Sequence, residues 1–153
     1  MTPPRPISHM AHALAEAHAA AGRGEVPVGA VLVGADGQVL AAAGNRTRAL
    51  NDPTAHAEIV AIRAACGVLS QDRLVGCDLY VTLEPCPMCA AAISFARIRR
   101  LYYGASDPKG GGVETGARIF SQSTCHHVPE VYGGLGAGEA AALLKSFFEQ
   151  RRD

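Results

Sequence analysis

Two short segments of the chain carry side chains of the kinds that bind metal ions. The first is Thr54–Glu58, with sequence Thr-Ala-His-Ala-Glu, and the second is Leu83–Cys89, with sequence Leu-Glu-Pro-Cys-Pro-Met-Cys. Together they supply one imidazole and two thiolates. Three protein ligands and one open position are typical of catalytic zinc, whereas structural zinc sites usually close with four. A water at the open position would have its pKa lowered from about 15.7 to about 7, so hydroxide would be available at neutral pH.

Glu58 adds a carboxylate two residues after the histidine. At this spacing it lies near a metal without binding it, and it can take a proton from the water and deliver it to a ring nitrogen of a base. Cys86 and Cys89 are three residues apart, so they share one face in a first helical turn. The N-terminus of a helix stabilises such thiolates.

Each motif alone has an ordinary explanation. A Cys-x-x-Cys can be redox-active or half of a structural zinc site, and most His-x-Glu pairs lie on helix surfaces. The ordered combination H-x-E…P-C-x-x-C is far more specific and is the known signature of zinc-dependent nucleobase deaminases. Two alternatives stay open. One is a deaminase of free bases or nucleosides, such as guanine or cytosine; the other is a non-enzymatic, zinc-stabilised binding module whose metal has four protein ligands.

Hydrophobic periodicity and turn residues place both motifs at the starts of helices. The loop before the first motif ends at Thr54, which is predicted to be the N-cap of its helix. The predicted elements are a helix over Ser8–Ala21, strands Val26–Val33 and Val39–Ala43, a helix from Ala55 to about Cys66, strand Leu79–Leu83, a helix from near Cys86 to about Ala96, strand Arg100–Tyr103, a short strand near Val131, and a helix over Glu139–Arg152 with Ala142, Leu143, Ser146 and Phe147 on one face. Strands alternate with helices, which predicts a layered α/β domain over residues 1–153.

The composition suits one packed domain, since 48% of the residues are hydrophobic and 18% are charged. The chain has neither the ~20 apolar residues of a membrane span nor a secretion signal, so we expect a cytoplasmic protein without a membrane partner. The net charge of zero argues mildly against a nucleic-acid partner. Arginines nevertheless cluster at 97, 99 and 100 and at 151 and 152, which is compatible with a local basic patch.

From about residue 8 to about residue 152 the chain resembles the bacterial tRNA-specific adenosine deaminases, within the cytidine-deaminase-like superfamily. The zinc motif alone would indicate only the superfamily. The stretches that point to the tRNA enzymes are Glu25–Val33, Asn45–Arg46, Asp52–Ile59, Leu79–Cys89, Phe147–Phe148 and Arg151–Arg152. The resemblance implies a three-layer α/β/α sandwich around a roughly five-stranded mixed sheet, one zinc ion per subunit and a homodimer. It also implies conversion of adenosine to inosine at the wobble position of a tRNA anticodon loop, with tRNA-Arg the expected substrate.

The resemblance further implies a role for each matching residue. His56, Cys86 and Cys89 would bind zinc, zinc hydroxide would attack C6 of the purine, and Glu58 would shuttle protons. Asn45 would hydrogen-bond the purine, and the base pocket would be lined by Val28, Ala57, Leu83, Glu84 and Pro85. RNA contacts would come from Asp107 and Lys109 in a glycine-rich loop and from Phe147, Phe148, Arg151 and Arg152 on the last helix. Only one of the two adjacent phenylalanines can face the core.

Overall fold

The computed structural model describes residues 5–151, which form a five-stranded sheet between two layers of helices. The elements in chain order are α1 (Arg5–Gly22), β1 (Gly29–Val33), β2 (Val39–Gly44), α2 (Ala57–Leu69), β3 (Asp78–Leu83), α3 (Pro87–Ala96), β4 (Arg100–Ala105), a 3-10 turn (Ile119–Ser121), β5 (Glu130–Tyr132) and α4 (Ala137–Gln150). The strand order is β2-β1-β3-β4-β5. Strand β1 is antiparallel to β2 and β3, whereas β3, β4 and β5 are parallel. The predicted mixed α/β sheet is confirmed.

Both faces of the sheet are buried, which explains why its central strands are continuously apolar. Along β1, alternate side chains enter two separate cores. Ala30 and Leu32 pack in a cluster that includes Ala61 of α2 and Ile93 of α3. Val31 and its neighbours on the other face pack in a second cluster, whose helix residues are Met10, Ala13 and Leu14 of α1 and Ala140 of α4. The sheet therefore holds α2 and α3 on one side and α1 and α4 on the other.

The parallel pairing of β3 and β4 creates the edge on which the predicted site lies. Leu83 pairs with Ala105 at the carboxyl ends of these strands, and the amide of Glu84 donates to the carbonyl of Ala105 at 2.8 Å. The chain leaving β3 therefore enters α3 directly beside the chain leaving β4. Crevices at the carboxyl ends of strands are the usual ligand sites of open α/β sheets.

The predicted N-cap at Thr54 is wrong. Helix α2 begins at Ala57, and its N-cap is His56, whose backbone is extended. The amide and hydroxyl of Thr54 both donate to Asp52 Oδ1, at 2.9 and 2.7 Å. Asp52 therefore holds Thr54 in a local turn and takes the hydroxyl that would otherwise serve the helix.

Two further elements differ from their predicted form. Strand β1 begins at Gly29 and not at Val26, because Pro27 has no amide hydrogen and the amide of Val28 bonds instead to the carbonyl of Val26 at 2.8 Å. In α4, Ala140 and Phe147 are buried and Leu143 and Leu144 are half-buried, but the predicted face members Ala142 and Ser146 are exposed. Arg152 lies outside the described residues. No helix within residues 5–151 is long and apolar enough to cross a membrane.

Candidate active site

The three predicted metal ligands meet at one point. Nδ1 of His56 lies 3.6 Å from Sγ of Cys86 and 3.5 Å from Sγ of Cys89. Zinc bonds are about 2.3 Å to sulfur and 2.0–2.1 Å to nitrogen. At a tetrahedral angle, a nitrogen ligand and a sulfur ligand of one zinc ion therefore lie roughly 3.6 Å apart. The donor atoms therefore fit a zinc ion. Within residues 5–151 the donor group consists of these three side chains, so it matches a catalytic site with an open position and not a closed structural site.

Two helix starts position these ligands. His56 is the N-cap of α2 and Cys86 is the N-cap of α3, and both have extended backbones. Pro87 follows at the first position of α3, where its missing amide hydrogen costs little. Cys89 is fully buried in the first turn of α3. The positive ends of two helix dipoles thus lie beside the sulfur atoms and favour negative charge there.

The two cysteines shift each other's pKa in opposite directions through a hydrogen bond. A hydrogen bond with Cys89 lowers the pKa of Cys86 to about 4, and His56 acts in the same direction. The same hydrogen bond, together with burial and the charge of Glu58, raises the pKa of Cys89. Cys86 and Cys89 would hold a zinc ion as thiolates, so binding of the metal would release a proton from the cysteine pair.

Glu58 is a buried carboxyl group poised to exchange protons. Its side chain is 4% exposed. Burial, the largest cause, raises the pKa of Glu58 to about 7; its own backbone amide opposes the rise, and the Cys86 thiolate adds to it. A group whose pKa lies near neutrality can both accept and donate a proton at physiological pH, as general acid–base catalysis requires.

A cavity of about 320 Å³ opens above the metal ligands. This volume is at the lower end of the ~300–1,000 Å³ that is usual for ligand pockets, which suits a small planar group. The cavity is lined by Val26, Val28, Asn45, Thr47, His56, Ala57, Glu58, Leu83, Glu84, Cys86, Asp107 and Gly110. The structure thus places most of the predicted pocket residues at the cavity. Pro85 is buried but does not line it.

Asn45 reaches the cavity with its amide in a fixed orientation. It is 6% exposed, and its Nδ2 donates to Glu25 Oε1 at 3.2 Å and to Thr47 Oγ1 at 3.1 Å. Both amide hydrogens are therefore engaged. The remaining polar atom, Oδ1, is an acceptor that can serve a donor on a ligand.

Among residues 5–151, Asp107 lines the cavity, and three more of the residues predicted to contact RNA line depressions next to it. Phe147 and Arg151 line one depression and Phe148 lines another, and both depressions share Val26 with the cavity. Phe147 is the buried phenylalanine, at 8% exposure, and Phe148 is 48% exposed. Lys109 is exposed and lies outside the cavity lining.

The arginine cluster at residues 97–100 does not belong to the site. Arg99 pairs with Asp78 at 2.9 Å and Arg100 pairs with Glu130 at 3.3 Å. Both arginines lie at the N-terminal end of β4, whereas the cavity lies beyond its carboxyl end. Two arginines of this cluster are thus paired with carboxylates, which argues against a basic patch at this end of β4.

Sequence reasoning missed four residues of the site. Val26, Thr47 and Gly110 line the cavity, and the buried carboxylate of Glu25 holds Asn45. Glu25 and Val26 belong to a stretch that carries the family resemblance, but no spacing rule marks them. A lone acidic residue before an apolar run was the available signal for Glu25, because a charge there needs partners if it is buried.

Comparison with known proteins identifies the family of this chain. Residues 5–105 match the cytidine and deoxycytidylate deaminase zinc-binding region. A tRNA-specific adenosine deaminase from Agrobacterium fabrum is 68% identical over 140 residues, which cover 92% of this chain and 91% of that protein. The chain belongs to the tRNA-specific adenosine deaminases. The zinc-binding region of this family fits the His/Cys/Cys donor group of the chain and the carboxylate of Glu58 in the same cavity.

Solved structures agree with this assignment. A tRNA:A34 deaminase, from work on A-to-I editing at the wobble position of transfer RNA, superposes with a TM-score of 0.88 at 68% identity and covers 90% of this chain and 99% of its own. A guanine deaminase from Bacillus subtilis superposes with a TM-score of 0.62 at 42% identity over 65% of this chain and 63% of its own. The same scaffold thus serves tRNA-specific adenosine deaminases and at least one free-base deaminase.

Proposed function

We propose that this chain deaminates adenosine to inosine at the wobble position of a tRNA anticodon, with tRNA-Arg as substrate. The observation that carries the proposal is the meeting of His56, Cys86 and Cys89 at 3.5–3.6 Å beside the buried carboxyl of Glu58, in a chain so similar to tRNA-specific adenosine deaminases. Because the substrate is transfer RNA, the proposed location is the cytoplasm. The wobble base is already in a single-stranded loop, so extruding it into the cavity costs only a little unstacking.

The reaction is hydrolytic: adenosine and water give inosine and ammonia. When zinc is bound by His56, Cys86 and Cys89, it acts as a Lewis acid that makes water nucleophilic near neutral pH. Glu58 accepts one proton from the attacking water and delivers it to N1 of the purine as the oxygen bonds to C6. It then accepts the second proton from the new C6 hydroxyl group and delivers it to the exocyclic amine as the C6–N bond breaks. The oxygen goes to C6 and the exocyclic nitrogen leaves as ammonia.

The pocket residues select and orient the base. Val28, Ala57 and Leu83 supply apolar walls, against which a purine ring loses little water. Asn45 offers Oδ1 to a donor on the base, since both hydrogens of its Nδ2 are engaged by Glu25 and Thr47. These contacts fix the distance between Glu58 and the ring nitrogen that it serves.

The mouth of the cavity would receive the flanking nucleotides. Phe148 is exposed beside Val26, Leu83 and Asp107, and an aromatic ring at such a position can stack on an unpaired base. Arg151 lies with its guanidinium 4.4 Å from the centre of the Phe147 ring, which leaves its charge close to the depression where a phosphate could lie. Lys109, Asp107 and Arg152 complete the proposed RNA contacts.

A deaminase of free bases is the second candidate. It is favoured by the likeness to a guanine deaminase, the zero net charge and the small cavity. The discriminating experiment incubates the purified protein with an anticodon stem-loop that carries a wobble adenosine and, separately, with guanine, cytosine and adenosine. Inosine in the stem-loop alone supports the proposal. Ammonia release from free bases alone assigns the chain to the second candidate.

We also propose that the chain acts as a homodimer. Phe95 on α3 is 68% exposed and borders a cleft lined by Ala91, Ile119, Cys125 and His126. An exposed aromatic beside an apolar cleft is typical of a protein interface. Light scattering should give twice the chain mass for the wild type and the chain mass for Phe95→Asp. A monomeric wild type at micromolar concentration would reject this part of the proposal.

A further inference from the structure

The carboxylate of Glu84 is surrounded by donors from one loop, residues 106–115. Four backbone amides donate to it at 2.9–3.1 Å, those of Asp107, Val113, Glu114 and Thr115. The hydroxyl of Ser106 donates at 3.3 Å. The hydroxyl of Thr115 lies 2.9 and 3.0 Å from the two carboxylate oxygens. A carboxylate offers about four lone-pair sites, so this group has no capacity left for a base in the cavity.

The two oxygens of Glu84 hold opposite ends of the loop. Oε1 accepts from Ser106 and Asp107 at the beginning, and Oε2 accepts from the amides of Val113, Glu114 and Thr115 at the end. The loop is thereby closed around a single buried charge. Its middle part carries Gly110, which lines the cavity together with Asp107.

Glycines let this loop approach both Glu84 and the start of α3. A Cβ on Gly111 would lie 2.6 Å from Cδ of Glu84, and a Cβ on Gly112 would lie 2.5 Å from the nitrogen of Pro87. The amide of Gly112 also donates to the carbonyl of Pro85 at 2.8 Å. The loop backbone therefore lies directly against the segment that carries Cys86.

We propose that Glu84 is a positioning residue that fixes the Asp107–Gly110 wall of the substrate cavity, and that it does not contact the base. The resemblance implied a base-pocket role for Glu84, but its carboxylate is already committed to the loop. The metal ligands and Glu58 act in the chemical step, whereas Glu84 acts through the loop and so determines how well substrate is held. The inference rests on the proposed function only for the choice of substrate.

Glu84→Gln tests this role at nearly constant size. A glutamine keeps one acceptor oxygen but puts an NH2 donor where the other oxygen stood. If the glutamine oxygen accepts from the three amides of Val113, Glu114 and Thr115, the glutamine NH2 group faces the amide of Asp107. Two donors cannot form a hydrogen bond with each other. The Asp107 side of the loop should therefore detach while the other side holds.

The matched control is Glu114→Gln. It removes a negative charge from the same loop, and the Glu114 side chain accepts a hydrogen bond from the Tyr103 hydroxyl, away from the cavity lining. Its backbone amide, which donates to Glu84, is unchanged. A general effect of charge or of loop stability would change KM in both variants. A positioning role of Glu84 would change KM only in Glu84→Gln.

The measurement is steady-state kinetics on the anticodon stem-loop, with zinc content and amide hydrogen exchange of residues 106–115. For Glu84→Gln we expect KM to rise about tenfold, the factor that one lost hydrogen bond to a charged group represents, with kcat within about threefold of wild type. Zinc should stay at one per chain, and the loop amides should exchange faster than in Glu114→Gln. Equal KM values in the two variants, or a loss of kcat or zinc with unchanged KM, would overturn the proposal.

A milder variant tests the same role of Glu84 if Glu84→Gln does not fold. Ser106→Ala removes the hydroxyl that donates to Oε1 of Glu84 at 3.3 Å but keeps all four amide bonds, so KM should rise about threefold; an unchanged KM then overturns the role. If the wild type does not act on the stem-loop, the proposed function fails. The exchange comparison still decides whether Glu84 holds the loop.

Discussion

The carboxylate of Glu25 accepts a hydrogen bond from Nδ2 of Asn45 at 3.2 Å, and Glu25 is only 2% exposed. The same carboxylate accepts from the amides of Arg48 and Ala49, at 3.1 and 2.8 Å. Burial alone would raise the pKa of Glu25, but these hydrogen bonds outweigh it, so the pKa lies below its ordinary value. The charged form is therefore the one that the folded chain stabilises.

Glu25→Gln should lower the free energy of unfolding by about 1–3 kcal/mol at pH 7, since charge-assisted hydrogen bonds to a buried group are lost. Because the pKa is depressed in the folded state, the stabilisation by Glu25 is complete above the ordinary carboxyl pKa and is lost as pH falls through the lowered value. Urea unfolding at pH 7 and at about pH 3.5 should thus show a smaller difference between variant and wild type in acid. Glu149→Gln, at an exposed position, is the control. An equal difference at both pH values would show that the charge of Glu25 does not stabilise the fold.

Replacing Glu58 tests the proton transfer directly. Glu58→Gln keeps the volume of the side chain but cannot shuttle a proton, so kcat should fall by at least about 10²-fold, and Glu58→Ala should abolish turnover. Zinc should remain at one per chain in both variants, because Glu58 is not among the three donors. Single-turnover assays with metal analysis provide the check. Activity retained in Glu58→Ala would reject the role assigned to this carboxyl group.

The adjacent phenylalanines of α4 should respond in opposite ways. Phe147 is 8% exposed and Phe148 is 48% exposed. Phe147→Ala should lower the free energy of unfolding by about 3 kcal/mol through a core cavity. Phe148→Ala should change it by less than about 0.5 kcal/mol but should raise KM for the stem-loop, because a stacking surface is lost. Thermal unfolding and kinetics on both variants separate the two roles; equal effects on stability would show that the burial assignment is wrong.

Local patterns were sufficient to predict the metal centre. The apolar run of β3, the Cys-x-x-Cys and the His-x-Glu are all short segments, and each depends on only a few neighbouring residues. The N-cap of α2 was predicted wrongly because Asp52 competes for the hydroxyl of Thr54, and propensity alone does not rank such competitors.

The role of Glu84 depends on contacts that local patterns do not contain. Its partners lie 22 to 31 residues further along the chain, in a loop that reads as a glycine-rich surface segment. The loop turns back onto Glu84 only because Gly111 and Gly112 permit the close approach. The bond between Glu25 and Asn45 also joins residues that are far apart in the sequence. It could not be predicted before the pairing of β1 with β2 was known.

The metal centre should hold one zinc ion through one imidazole and two thiolates, with a position left for water. X-ray absorption at the zinc edge of the purified wild type measures this coordination directly. We expect two sulfur ligands at about 2.3 Å and two nitrogen or oxygen ligands at about 2.0–2.1 Å, with one sulfur lost in Cys86→Ser. A zinc ion with three or four sulfur ligands, or with none, would show that His56, Cys86 and Cys89 do not form an open catalytic site.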